Sequence, residues 1–489
     1  MTEEAAFNTP ASVAPRAHPR KLPSPTKREL AARGSAVVAA FTRRFAKVGL
    51  RQARQAKEGL LPPEQLAKPL RLAFEDLGGT FIKFGQILAS SPGLFGPEIS
   101  DEFRSCLDTG PEVPVEEVIA LIEDELGCSL PEVFARFDPQ PIGRASIAVV
   151  HRAMLHDGRE VAVKVLRPGI EHLVATDLDL MEPMFEVLAR WTGAQLAGAI
   201  FQQLDGFRLQ IGEEMDLRNE ARAMAVFRSL NDDLGLSLVA VPEPFPQFSS
   251  RSVLTMEYLD GFAVDDLQAV IDQGVDPAPL IEQLIRGFFM MTVKYRVFHG
   301  DVHAGNLLLL RDGRIGVIDW GIVGRLDEET HWFLCRMLAA VLGEDKAWED
   351  VTTHIVKTYG PAIGEAMGMD DAQLAMFIRA MIEPVLLKPF GEVSFAEMMN
   401  ATQVQVAKAH GVEFADYSIR ATLKRIRLQR RIHKMATDAG GLMSDFDRGY
   451  FLLGKQLMYF ERYGKLFLKD SPILSDPDFL RALLAESGV

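Results

Sequence analysis

The residues with the clearest chemical meaning lie near position 300. They are His299-Gly300-Asp301-Val302-His303-Ala304-Gly305-Asn306, followed by Val317-Ile318-Asp319-Trp320-Gly321. A carboxylate, an amide five residues on, a hairpin, and a second carboxylate before an aromatic residue and Gly suit phosphoryl transfer. A phosphoryl group in transfer spreads negative charge over its oxygens, and magnesium neutralises most of it. Magnesium takes hard oxygen ligands, which the Asn306 amide and the Asp319 carboxylate supply. Asp301 is then placed to orient or deprotonate the attacking hydroxyl. A single Asp or Asn on a loop is usually a turn residue. Three at this spacing, between strand-like runs, are not explained that way.

A second group lies upstream. In Val161-Ala162-Val163-Lys164 a lysine sits inside an apolar strand, where an unpaired ammonium is costly to bury. Lys164 is expected to bind the α- and β-phosphates and to pair with a helix carboxylate, with Glu220 as the candidate. The strand Leu254-Thr255-Met256-Glu257-Tyr258-Leu259, running into Asp260-Gly261, reads as a hinge whose backbone would grip adenine. That signal is weak alone and gains weight from its order between Lys164 and Asp301.

These groups need scaffolding, and the patterning predicts it. Apolar residues at Val38, Phe41, Phe45 and Val48 predict a basic amphipathic helix over 35–60. Leu70, Phe74, Leu77, Phe81, Phe84 and Leu88 predict a helix over 65–91, with a break or a close contact at Gly78-Gly79. Another helix is expected at Val115–Leu126. Residues 146–155 and 159–166 read as strands joined by a turn at Asp157-Gly158. Helices are expected across 170–230, a break at Pro242–Pro246, a strand at 251–258, and mostly helix from 277 onward. Short strands at 307–310 and 314–318 interrupt that last stretch, and a further helix starts near Glu328.

The chain resembles the UbiB/ADCK family of atypical kinases. The resemblance is carried by the K-x-G-Q motif Lys83-Phe84-Gly85-Gln86, the E-x-D motif Glu214-Met215-Asp216, Ala145-Ser146-Ile147-Ala148 before the first strand, and Val150-His151. It runs from about 65 to about 470. It implies an α+β, protein-kinase-like bilobal fold, with a small β-rich N-lobe, a helical C-lobe and an added helical N-terminal extension. It further implies ATP and magnesium as cofactors. Lys83 and Gln86 would reach into the pocket and meet Glu214 and Asp216. The loop Gly143-Arg144-Ala145-Ser146 would face the nucleotide. It departs from the family's alanine-rich pattern, which predicts a looser loop with Arg144 reaching phosphates. Expected boundaries are a disordered arm over 1–34, the extension over 35–140, the N-lobe with inserted helices over 141–260, and the C-lobe and tail over 261–489. Isoprenoid-quinone or related lipid metabolism follows from the resemblance alone. Two other readings stay open: a small-molecule phosphotransferase of the aminoglycoside or choline kinase type, and a nucleotide-dependent lipid-binding scaffold.

Composition narrows the partners. The net charge is −14, which disfavours nucleic acid as a partner. Residues 1–60 nevertheless carry a net of +8, against −22 for the remainder. That arm, or the basic run 424–434, would suit anionic lipid, although a solvated face is the plainer reading. Three scattered cysteines fit a reducing compartment. Neither a transmembrane run nor a signal peptide is expected, which predicts a cytoplasmic protein, peripheral at the membrane if attached at all. Deleting residues 1–60 should weaken co-sedimentation with anionic vesicles. Equal binding with and without them returns the arm to the solvated reading.

Overall fold

The computed structural model describes residues 20–488, apart from 55–62, 90–96, 104–111, 193–203, 205, 368, 387–447, 469, 470, 472, 474 and 475. The basic run 424–434 and residues 1–19 therefore lie outside the described residues. In chain order the helices used below are α1 (Lys27–Arg54), α2 (Pro63–Leu77), α3 (Gly79–Ala89), α4 (Val115–Leu126), α5 (Ile170–Thr192), α6 (Leu217–Leu234), α7 (Ala278–Tyr295), α8 (Glu328–Val341) and α9 (Arg448–Phe467). The strands are β1 (Phe134–Arg144), β2 (Ala148–Leu155), β3 (Glu160–Leu166), β4 (Val239–Ala240), β5 (Val253–Glu257), β6 (Gly261–Ala263), β7 (Val297–His299), β8 (Leu307–Leu310), β9 (Ile315–Val317) and β10 (Val323–Arg325).

β1, β2, β3 and β5 form an antiparallel sheet in that order. A second sheet runs β4-β9-β8-β6, and β10 pairs with β7. The first sheet is the core of a small lobe. The helical lobe, with α7, α8 and α9, carries the short strands that present the 299–321 residues. This is the kinase-like bilobal α+β fold expected, with helices α1–α3 added before it.

β1 falls where only helical extension was expected, at 35–140. Pro139 and Pro141 argue against a strand, because proline cannot donate to a ladder. β1 accommodates them as an edge strand whose pairing with β2 slips at Phe137/Pro141 and again at Pro141/Gly143. The first helix begins at Lys27, so the arm expected to be disordered through residue 34 is helical in its last residues. α2 and α3 divide at Gly78, whose φ of 73° lies in the left-handed region glycine favours. A Cβ on Gly79 would meet the Ser146 carbonyl oxygen at 3.7 Å. The break thus occurs where expected, and the contact at Gly79 is an ordinary one that places α3 beside the loop before β2.

The N-terminal helices are packed on the body by aromatic side chains and one buried ion pair. Phe74 meets Phe81 and Phe103 at ring separations of 5.5 and 5.3 Å. Phe84 meets Phe185 of α5 and Phe207. Val37 and Ala40 of α1 are buried, so one face of that helix is covered by protein. Arg33 donates to Asp177 at 2.6 Å and to the Leu77 carbonyl at 2.7 Å. Asp177 is fully buried, and that burial pushes its carboxyl above its ordinary range against the pull of Arg33. Arg33→Met would strand this carboxylate, which costs about 3 kcal/mol when a buried pair loses one partner. A lowered thermal midpoint is expected, with a smaller drop in the double variant Arg33→Met/Asp177→Leu.

Candidate active site

Lys164 points from β3 into the cleft between the lobes. Its ammonium donates to both carboxylate oxygens of Glu220, at 2.9 and 2.8 Å, and lies 3.4 Å from Asp319 Oδ2. The ladder fixes its position, since Lys164 sits opposite Val150 on β2 and Leu254 on β5. Burial alone would lower the Lys164 ammonium, but Asp319 and Glu220 outweigh it and hold it above its usual range. Glu220 stands in the first turn of α6, where the helix dipole favours an anion. Its carboxylate also accepts the backbone N–H of Trp320 at 3.3 Å. One buried carboxylate therefore ties the small lobe to the turn after Asp319. Burial pushes the Glu220 carboxyl up and Lys164 opposes that push.

Asp319 is turned by the Gly321 N–H, which donates to its Oδ1 at 3.0 Å. Against burial, Lys164 and Lys83 hold its carboxyl well below the usual carboxylate range. Asn306 donates through Nδ2 to the Asp301 carbonyl at 3.0 Å. That bond orients the amide and leaves its oxygen as an acceptor. An amide oxygen and a carboxylate oxygen are a hard donor pair of the kind magnesium accepts when phosphate and water complete its shell. The acidic residues lining the cleft around Lys164 are Glu213, Glu214, Asp216, Glu220 and Asp319, against Lys83 and Lys164. A polyphosphate entering so acidic a cleft needs a cation with it, so these residues fit a magnesium-bearing nucleotide. Asn306 and Asp319 would hold the ion.

α3 brings Lys83 to the same cleft. Phe81, Phe84 and Leu88 bury its other faces, and the Lys83 ammonium lies 2.8 Å from Glu214 Oε2. Gln210 donates to the other oxygen of Glu214 at 3.1 Å. Asp216 lines the cleft, but its carboxylate caps α6 and is bonded in both oxygens by Arg218, at 2.9 and 2.7 Å. Gln86 lies one turn beyond Lys83, half-buried and outside that lining.

The loop before β2 differs from expectation. Gly143 and Arg144 end β1, and Arg144 pairs with Glu112 at 2.9 Å on the surface rather than turning to the cleft. Ala145 and Ser146 do line the cleft. The loop is clamped and not loose: buried Arg167 donates twice to the Ala145 carbonyl, at 3.1 and 2.9 Å, and its backbone N–H donates to Ile147. In the expected hinge, Met256 pairs with Ala162 across the ladder, while Glu257 and Tyr258 donate their N–H groups to Glu243 and Glu160. Leu259 packs with Ala240 and Leu310. These four residues connect the lobes and lie outside the cleft lining around Lys164.

Two further contributors carried no local signal. Lys455 and Tyr459 of α9 reach Asp301 from far along the chain, at 2.8 and 3.3 Å. Lys455 heads the cations that, against burial, bring the Asp301 carboxyl down to about 2. His299 joins the two halves of the motif. Its Nδ1 accepts the Asp301 N–H at 3.0 Å, and its Nε2–H donates to the Asp319 carbonyl.

Residues 105–351 match the ABC1 atypical kinase-like domain. The chain belongs to this family. A Mycobacterium tuberculosis protein of uncharacterized function is 33% identical over 479 residues, 95% of this chain and 89% of that protein. A chloroplastic aarF domain-containing protein kinase of Arabidopsis thaliana is 33% identical, with coverage of 86% and 74%. The probable protein kinase UbiB of Azotobacter vinelandii is 34% identical over 68% of this chain and 61% of its own length. Lys83 and Lys455 both fall outside the matched ABC1 segment. Among the described residues no helix is long and apolar enough to cross a membrane.

The buried imidazole gives a pH dependence. Burial lowers His299 from 6.5 to about 4. The unfolded chain therefore binds a proton near pH 6.5 that the folded chain refuses until about pH 4. Stability is expected to fall as the pH drops through that window, by about 3 kcal/mol in all. Thermal midpoints measured between pH 7 and 4 should fall less steeply for His299→Gln than for the parent.

Proposed function

We propose that this ABC1-family chain is a magnesium-dependent atypical kinase or ATPase that uses ATP and acts on isoprenoid-quinone or related lipid metabolism at a membrane surface. The observation that carries the ATP reading is the contact of Lys164 with Glu220 and Asp319, with Asn306 and Asp301 on the adjoining loop. Lys164 would bind the α- and β-phosphates, kept in place by Glu220. Asn306 and Asp319 would hold magnesium, whose charge would offset that of the phosphate oxygens. Asp301 would orient the acceptor, either a hydroxyl or water. The bond between the γ-phosphorus and its bridging oxygen breaks, and ADP departs. The acceptor oxygen forms the new bond to phosphorus, and its proton passes to Asp301 or to the product phosphate. The Ala145-Ser146 loop would frame the nucleotide. The quinone or lipid connection and the membrane surface rest on the family resemblance.

Lys83 weighs against an aminoglycoside- or choline-kinase reading. It pairs with Glu214 and stands on the K-x-G-Q helix that precedes the first strand, an element that argues against that class. The deciding experiment is magnesium-dependent ATP hydrolysis by the purified protein, with and without anionic liposomes, beside Asp319→Asn. The variant should lose magnesium-dependent nucleotide affinity by more than about a hundredfold, because altering even an outer partner of a metal site can cost that much. Undiminished binding would overturn the metal assignment. Binding without turnover in the parent would turn the reading toward a scaffold.

A further inference from the structure

α9 does more than close the helical lobe. Lys455 Nζ lies 2.8 Å from Asp301 Oδ1, and the Tyr459 hydroxyl donates to the same oxygen at 3.3 Å. Both side chains of the ion pair are nearly withdrawn from solvent, Lys455 at 11% and Asp301 at 16% exposed. One turn on, the Tyr463 hydroxyl donates to the Val302 carbonyl, next to Asp301 in the chain. Phe460 packs on Phe288 and Phe289 of α7. The helix is thus fastened both to the loop that carries Asp301 and to the core beneath it.

The bonds to the Asp301 carboxylate fall on one side. Oδ1 takes both Lys455 and Tyr459. A carboxylate turns easily about its terminal torsion, which is broad and roughly two-fold. A charge-assisted contact to one oxygen removes that freedom. We propose that Lys455 is a positioning residue for phosphoryl transfer, holding Asp301 by Oδ1 so that Oδ2 is presented to the acceptor's hydrogen. This rests on Asp301 being the acceptor-side carboxylate, as proposed above. The cation that sets its geometry comes from α9, outside the 299–321 motif.

The test is steady-state ATP turnover by the full chain. Lys455→Met should lower kcat about a hundredfold, the scale of loss when a reacting group is misplaced by an ångström. KM for ATP should stay within about twofold, because Lys455 is not in the Lys164 cleft lining. Lys455→Arg, which keeps the cation, should recover at least a tenth of the parent kcat, and Tyr459→Phe should lose only a few-fold. Asp301→Asn should be as damaging as Lys455→Met, and the double variant no worse than Asp301→Asn alone. Parent-like kcat in Lys455→Met, or losses that multiply in the double variant, would overturn the inference. If Asp301→Asn keeps full turnover, the reading of Asp301 fails first, and that outcome is distinct. A readout that needs no turnover is the crystal structure of Lys455→Met. A rotated Asp301 carboxylate supports the inference, and an unmoved one overturns it.

Discussion

A single buried ammonium governs the architecture of the cleft. Lys164 cannot sit inside the small lobe unless carboxylates meet it, and the two that do come from different parts of the chain. Glu220 belongs to a helix packed beneath the sheet, and Asp319 to a loop of the other lobe. Satisfying one charge therefore forces strand, helix and loop into a common frame. The N–H of Trp320 on Glu220 extends the constraint to the residue beside Asp319. The lobes are not merely adjacent; they share an electrostatic joint.

A second charge pair repeats the device from the N-terminal side. Lys83 arrives on a helix whose apolar faces are spent on Phe74, Phe185 and Phe207, and its ammonium can then only turn to the cleft, where Glu214 waits. Two lysines from separate elements thus stand in a cleft lined by Glu213, Glu214, Glu220 and Asp319, while the carboxylate of Asp216 is taken by Arg218. Such a cleft is closer to a cation reservoir than to an anion trap.

Much of this was legible because it is local. Asp301, Asn306 and Asp319 stand at short fixed spacings, and Lys164 announces itself by being a charge in the Val-Ala-Val run. Glu220 could be named since a buried lysine demands a carboxylate on a nearby helix. What escaped reading is non-local or masked by composition. β1 hides behind Pro139 and Pro141, and only the slips in its register let it pair. Arg167 gave no hint that it clamps Ala145, because the two are linked by hydrogen bonds across a loop. Asp216 was read as a pocket acid, yet an Asp immediately before a helix is also a cap, and capping claims its oxygens. Lys455 stands 154 positions beyond Asp301, with no pattern joining them.

The attachment of α9 to the Asp301 loop has a consequence in time. A ribosome adds about 5–20 residues per second, so Lys455 emerges on the order of ten seconds after Asp301. Through that interval the two lobes can already be joined by Lys164 and Glu220, while the Asp301 carboxylate has neither its ammonium nor its phenol. The nascent protein would thus form the Lys164 cleft before the surroundings of Asp301 are complete. Assembly of the site ends with α9, so a chain interrupted before that helix lacks the side chains that hold Asp301.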